Sequence, residues 1–277
     1  MPLQEPYPEL DEILLSIGEA GQRVSSINAS EGAAGNISVC IGWPIEVRRR
    51  FPLVETITLP EEVPALAGMT VLVTGSGRRL RDIQKDPAAN LAAVAIDAGG
   101  RSGQIYTAPH HLFATPTSEF NSHLAVHNDQ VALTGTNFHA LIHAQPPHLT
   151  YLSHLPAYRD EDHLNQQLLR WEPETIINLP EGIGVLPYRL PGSAGLMAEN
   201  LAGLRAHRIV LWCKHGVMAR SDQSVTKAAD RIEYAETAAH YEYMDLANGS
   251  RAEGLTRAEL IEIISTFKVP TSLFKNR

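Results

Sequence analysis

Two apolar runs near the middle of the chain, residues 92–96 and 103–108, are joined by the turn Ala98-Gly99-Gly100, and this pairing constrains the fold more than any other local feature. A hairpin commits its strands to lie antiparallel and adjacent. The chain is therefore not a regular succession of strand–helix–strand units closing into a barrel. The other signals interleave irregularly around the hairpin. Leu10, Ile13, Leu14 and Ile17 recur at helical spacing and predict a helix over 9–24. Residues 37–41 and 70–73 read as strands, with a short strand near 55–59 inside a Pro-rich connection. A helix from Glu119 to about Val126 is expected, capped by Thr117 or Ser118. Residues 140–143 form a buried strand ended by Pro146-Pro147, and a helix follows. Residues 178–191 are punctuated by Gly and Pro and predict short strands and turns. Residues 193–207 are helical and 208–213 a buried strand. Asp222 is expected to cap a long helix reaching Ala247, and Thr256 with Glu259 to form a capping box. The pattern predicts a mixed sheet with helices on its faces, in one domain over 1–277.

Composition narrows the function. The 277 residues carry a net charge of −8, which argues against nucleic acid or an anionic membrane as the main partner. The one basic run, Arg48-Arg49-Arg50, reads as a solvated loop. The 2 cysteines, Cys40 and Cys213, sit in apolar runs and make no disulfide framework; buried free thiols are expected. The N-terminus has neither a basic start nor an apolar stretch, and no window approaches the length of a membrane helix, so a cytoplasmic protein is expected.

Several residues are placed to carry chemistry. Among the 12 histidines, His139 and His143 flank a strand, His148 lies just beyond it, and His215 ends another apolar strand at Lys214-His215-Gly216. Imidazoles at strand ends beside Gly or Pro can converge on a metal, although a single histidine is more often surface or hydrogen-bonded. Pro116-Thr117-Ser118-Glu119 opens a helix. Free N–H groups and hydroxyls there can hold an anion, and the carboxylate can act as a base beside it; a plain capping box is the simpler alternative. Ala34-Gly35-Asn36 and Thr74-Gly75-Ser76-Gly77 are glycine loops able to approach a phosphate, or ordinary tight turns. Neither has the spacing of a nucleotide-binding loop. Together these features sketch proton abstraction next to a carbonyl on a phosphorylated sugar.

Four segments carry a wider resemblance: Thr74-Gly75-Ser76-Gly77 running on to Asn90-Leu91, Pro116-Thr117-Ser118-Glu119, 179–187 and 210–217. In this order and at close to this spacing, they resemble the class II, metal-dependent sugar-phosphate aldolase and adducin-head family, and within it the rhamnulose-1-phosphate aldolases, over roughly residues 30–270. The resemblance implies an α/β fold with a mixed, largely antiparallel central sheet and helices on both faces, a homotetramer, and one Zn²⁺ per subunit. It implies retro-aldol cleavage of a ketose 1-phosphate to dihydroxyacetone phosphate and an aldehyde. Carried over by position, Glu119 matches the catalytic base. His143 and His215 match metal ligands. Asn36, Ser76, Gly77, Thr117 and Ser118 match substrate- and phosphate-binding positions, and Glu172 a second acidic position near the site. Two positions depart from the pattern. Gln145 stands where a second metal histidine is usual, so Gln145 itself, His148 or His139 would complete the site, or the metal would be weak or absent. Ala33 stands where a phosphate-binding Asn is usual. An epimerase or dehydratase on the same fold, and a non-catalytic adducin-like assembly protein, are the alternative readings.

Overall fold

The computed structural model describes residues 2–274. Among the described residues nine strands form one sheet: β1 (Asn36–Ile41), β2 (Leu53–Thr58), β3 (Thr70–Thr74), β4 (Leu91–Ile96), β5 (Ser102–Thr107), β6 (Phe138–Ala144), β7 (Gly184–Leu186), β8 (Ile209–Trp212) and β9 (Gly216–Ser221). Their order is β2-β5-β4-β3-β1-β6-β9-β8-β7. All neighbours are antiparallel except β7 and β8, which run parallel. The expected hairpin is β4–β5.

The helices are α1 (Leu10–Ser26), α2 (Leu80–Ile83), α3 (Pro87–Asn90), α4 (Phe120–Thr134), α5 (Pro147–Leu152), α6 (Glu161–Leu168), α7 (Pro173–Asn178), α8 (Ala194–Ala206), α9 (Val225–Ala247) and α10 (Arg257–Thr266). Side chains alternate across a strand, so each strand supplies two layers. Ile37, Val39 and Ile41 of β1 join Ala140 and Ile142 of β6 beneath α1 and α9. There α1 contributes Leu10, Ile13, Leu14, Ile17 and Val24, each burial stabilising by about 1.5–3 kcal/mol. On the opposite face Val71, Val73, Ala92 and Val94 pack against Phe120, Leu124 and Val131 of α4. Leu141, Val210, Trp212 and Met218 pack beside them against Leu196 and Leu204 of α8. The mixed sheet with helices on both faces is the fold class expected. Both cysteines are free and buried, as expected. No helix among the described residues is long and apolar enough to cross a membrane.

Three local expectations are corrected. Neither Thr117 nor Ser118 caps α4: the N-cap residue is Glu119, whose side chain makes no capping bond. The carboxylate is engaged elsewhere, and the Thr117 hydroxyl instead accepts from the Glu119 N–H at 3.4 Å. α4 also continues to Thr134, where Gly135 ends it in a left-handed conformation (φ 65°). Its continuation was hidden because the sheet-facing stripe carries His123, His127 and Gln130, which are buried where apolar residues would announce a helix. Finally, Ser224 rather than Asp222 caps α9, its hydroxyl accepting from the Lys227 N–H. The capping box of Thr256 and Glu259 is present.

Candidate active site

The α4/α8 face of the sheet ends in a pocket of about 200 Å³. Asn36 begins β1 and pairs in register with His143 on β6, so the two side chains emerge side by side on this face. Gly35, just before β1, holds φ 84°, and a Cβ there would stand 2.8 Å from the His143 carbonyl oxygen. Only glycine permits this approach. The Gly75-Ser76-Gly77 loop leaves β3 and is laced to the segment before α4. Ser76 N–H donates to the Thr115 carbonyl at 2.8 Å, and Thr117 N–H to the Thr74 carbonyl at 2.9 Å. This lacing brings Thr117, Ser118 and Glu119 over the end of β1. His215 arrives from the tight β8–β9 turn, where Lys214 takes φ 65° and the His215 N–H donates to the Trp212 carbonyl at 2.9 Å.

Nine of the residues expected from the sequence line this one pocket: Asn36, Ser76, Gly77, Thr117, Ser118, Glu119, His143, Gln145 and His215. Ala33 lines it as well. The pocket is graded in depth. Ser76, Gly77 and Ser118 are exposed at its mouth, while Asn36, Glu119 and His143 are buried at its floor. The residues discussed as substitutes for the missing histidine lie elsewhere. His139 is buried further back along β6 against His127. His148 donates from Nδ1 to Glu236 Oε1 at 2.6 Å and stacks on His240. Glu172 is the N-cap of α7 and does not line the pocket. Sequence reasoning missed Arg78, which brings positive charge to the pocket, and Pro191. It also missed Trp212, on which the His143 ring stacks with centroids 4.4 Å apart. The signal for Arg78 was its place directly after the glycine loop.

The floor of the pocket is a carboxylate facing two imidazoles. Glu119 Oε2 lies 3.8 Å from His143 Nε2, and Glu119 Oε1 lies 3.9 Å from His215 Nε2. Both distances are too long for hydrogen bonds. His143 donates from Nδ1 to the Val217 carbonyl at 2.8 Å, which leaves the Nε2 lone pair facing the pocket. Burial pushes the His215 imidazole down to about 4, aided by His143 and opposed by Glu119, so this ring is neutral near pH 7. Burial pushes the Glu119 carboxyl up, but His143, the Asn36 amide bond, His123 and His215 outweigh it and hold the group below the ordinary glutamate value. Glu119 is therefore ionised at neutral pH. Among the described residues, Glu119, His143 and His215 are the group able to hold a metal ion, with ligand atoms within 4.8 Å of one another. The donors fit a divalent cation: imidazole lone pairs, an ionised carboxylate, and spacings left open between them.

Comparison with known proteins identifies the family. Residues 16–243 match the family model described as Class II Aldolase and Adducin N-terminal domain. The rhamnulose-1-phosphate aldolase of Klebsiella pneumoniae subsp. pneumoniae is 31% identical over 219 residues, covering 77% of this chain and 76% of that protein. The rhamnulose-1-phosphate aldolase of Bacteroides thetaiotaomicron is 28% identical over 268 residues, covering 96% of this chain and 98% of that one. The crystal structure of a sugar-phosphate aldolase from Thermotoga maritima superposes with a TM-score of 0.74 at 27% identity, covering 88% of this chain and 98% of that chain. The chain belongs to the class II aldolase and adducin N-terminal domain family and, within it, is a class II aldolase.

Proposed function

We propose that this aldolase cleaves a ketose 1-phosphate of the rhamnulose 1-phosphate type into dihydroxyacetone phosphate and an aldehyde. The observation that carries this reading is the buried, ionised Glu119 beside two metal-competent histidines, at the floor of a pocket whose mouth is made of glycine- and hydroxyl-bearing loops. The phosphate would sit at the mouth, among Ser76, Gly77, Thr117 and Ser118, with Arg78 adding charge. The carbon skeleton would then point inward, towards Glu119. In cleavage the C4 hydroxyl loses its proton as it becomes the aldehyde carbonyl. The C3–C4 bond breaks, and its electron pair stays on C3 as an enediolate. Glu119, ionised at rest, takes up through water the proton given up by the C4 hydroxyl and delivers it to C3, and in the synthetic direction its ionised form removes that proton.

Class II aldolases are metal-dependent, and the ion we propose is Zn²⁺, one per subunit, held by His143 and His215, with Gln145 and Glu119 beside them. When bound, it supplies Lewis-acid stabilisation of the developing enediolate charge. The reading includes one domain over 1–277, a homotetramer and a cytoplasmic location.

Gln145 favours a second reading, because a Gln carbonyl is a poorer zinc ligand than imidazole. On that reading the class II aldolase fold serves here as a metal-poor, adducin-like assembly module. Metal analysis of protein purified without added metal, paired with detection of dihydroxyacetone phosphate from rhamnulose 1-phosphate, separates the two. About one zinc per chain together with product release supports the aldolase. A metal-free protein that gains zinc only on Gln145→His supports the assembly module.

A further inference from the structure

Behind the pocket, between α4 and the sheet, lies a run of buried polar side chains that the chemistry above does not use. Ser38, His123, His127 and His139 have no solvent exposure, and Asn36 connects them to Glu119. Polar groups so deep are tolerated only when hydrogen-bonded, and these form one continuous chain.

Each proton in the chain follows from the one before it. The Asn36 Nδ2 group, which can only donate, faces Glu119 and donates to Oε2 at 2.9 Å. The Asn36 Oδ1 must then accept from His123 Nε2 at 2.5 Å, which puts the hydrogen of the neutral ring on Nε2. His123 Nδ1 is left as an acceptor, and the Ser38 hydroxyl donates to it at 2.5 Å. Having given its single hydrogen, the Ser38 oxygen accepts from His127 Nε2 at 2.7 Å. His127 Nδ1 in turn accepts from His139 Nδ1 at 2.7 Å. The chain ends at His139 Nε2, a buried lone pair with no hydrogen-bond partner. Every bond therefore donates in the same direction, towards Glu119.

We propose that Ser38, His123, His127 and His139 are positioning residues for Glu119: their one-way hydrogen-bond chain fixes the Asn36 amide with its NH₂ group on the carboxylate. Aligned donors polarise one another, so the last bond, to the charged oxygen, is the one most strengthened. The chain does not conduct protons, because an asparagine amide stands between His123 and Glu119 and cannot relay one. Burial keeps the three rings neutral, as the tautomer assignment requires. His123 is pushed down to about 4, where Glu119 opposes the shift, and His139 to about 3, where the nearby Arg220 charge adds to it. His127 lies well below the ordinary value, mainly through burial.

The proposal rests on the aldolase reading for its purpose but not for its test. Long-range ¹⁵N–¹H spectra of the unmodified protein at pH 7 report each tautomer. The expected pattern is Nε2–H for His123 and His127, Nδ1–H for His139, and no imidazolium among them. The opposite tautomer or a protonated ring at any of the three overturns the proposal. His127→Gln keeps a donor where Nε2 stands, whereas His127→Leu removes it. The Asn36 side-chain amide resonance should hold its shift in the Gln variant and move in the Leu variant; an unmoved resonance in His127→Leu overturns the proposal. Where rhamnulose 1-phosphate is cleaved, His127→Leu should lower kcat about tenfold with little change in KM, and His127→Gln should recover it. An unchanged kcat in His127→Leu refutes the positioning role. If the unmodified protein cleaves no ketose phosphate, the aldolase substrate reading fails, and the spectra alone decide the chain.

Discussion

The imidazoles of His143 and His215 meet edge to face, 4.9 Å between ring centroids and 67° between ring planes, although one sits on a central strand and the other in a hairpin turn. Trp212 backs both rings, stacked on His143 and tilted against His215. Each histidine keeps a nitrogen towards Glu119. His215→Ala should therefore lower the affinity for the proposed zinc by about tenfold or more, while Gln145→His should raise it. Metal analysis after dialysis against a chelator series checks both.

Glu119→Gln removes the proposed base but keeps an oxygen for the Asn36 amide to donate to. Turnover should fall by about 10²–10⁴-fold, the usual contribution of a positioned base. The melting temperature should change little. A coupled assay for dihydroxyacetone phosphate, run beside a thermal melt, checks the separation of the two effects.

Gly35→Ala tests the close approach of the β1 entry to β6. The substitution combines φ 84° with a Cβ 2.8 Å from the His143 carbonyl, so it should destabilise by about 2–3 kcal/mol. Gly32→Ala, at φ 56° with nothing within 4 Å, should cost about 1 kcal/mol. Urea denaturation of the two variants should show the larger fall in midpoint for Gly35→Ala.

Stability should fall in acid through the buried histidines of the α4 face. His139 titrates near 6.5 in the unfolded chain and at about 3 in the fold, chiefly through burial. Above 6.5 both states are neutral and the group adds no pH dependence. Between 6.5 and 3 the unfolded chain binds a proton that the folded chain refuses, so stability declines as the pH drops through this window. Each pKa unit is worth about 1.4 kcal/mol. His127 acts in the same direction. His139→Asn should flatten the slope of unfolding free energy against pH between 6.5 and 4, as measured by denaturant melts.

Much of the site was legible because its residues occupy turns and strand ends, where local rules are strong. Glycine loops, the start of a helix and histidines ending apolar runs each leave a short-range signature, and of the expected site residues all but Glu172 line one pocket. The longer extent of α4 was not legible, because its core face is partly polar: His123 and His127 bury against Ser38 rather than against aliphatic side chains. Capping residues were misjudged for a related reason. Thr117 and Glu119 have the chemistry of caps, but tertiary contacts claim the Glu119 carboxylate. β9 was not expected, because past the turn at Lys214 only Val217-Met218-Ala219 is apolar before Arg220, too short a run to announce a strand.

The sequence by itself determined the elements whose signals lie within a few residues. These are the apolar face of α1, the β4–β5 hairpin, the capping box of α10, and the types of side chain available to the site. Tertiary structure alone decided which strand lies beside which, that β7 joins β8 in parallel, and that Asn36 stands in register with His143. It also turned His139 inward to a hydrogen-bonded chain and carried His148 away to Glu236. The reason is physical: helix period and turn chemistry are set by neighbours along the chain. Register and the fate of a buried polar group depend instead on partners far away in sequence, which a side chain meets only once the sheet has formed.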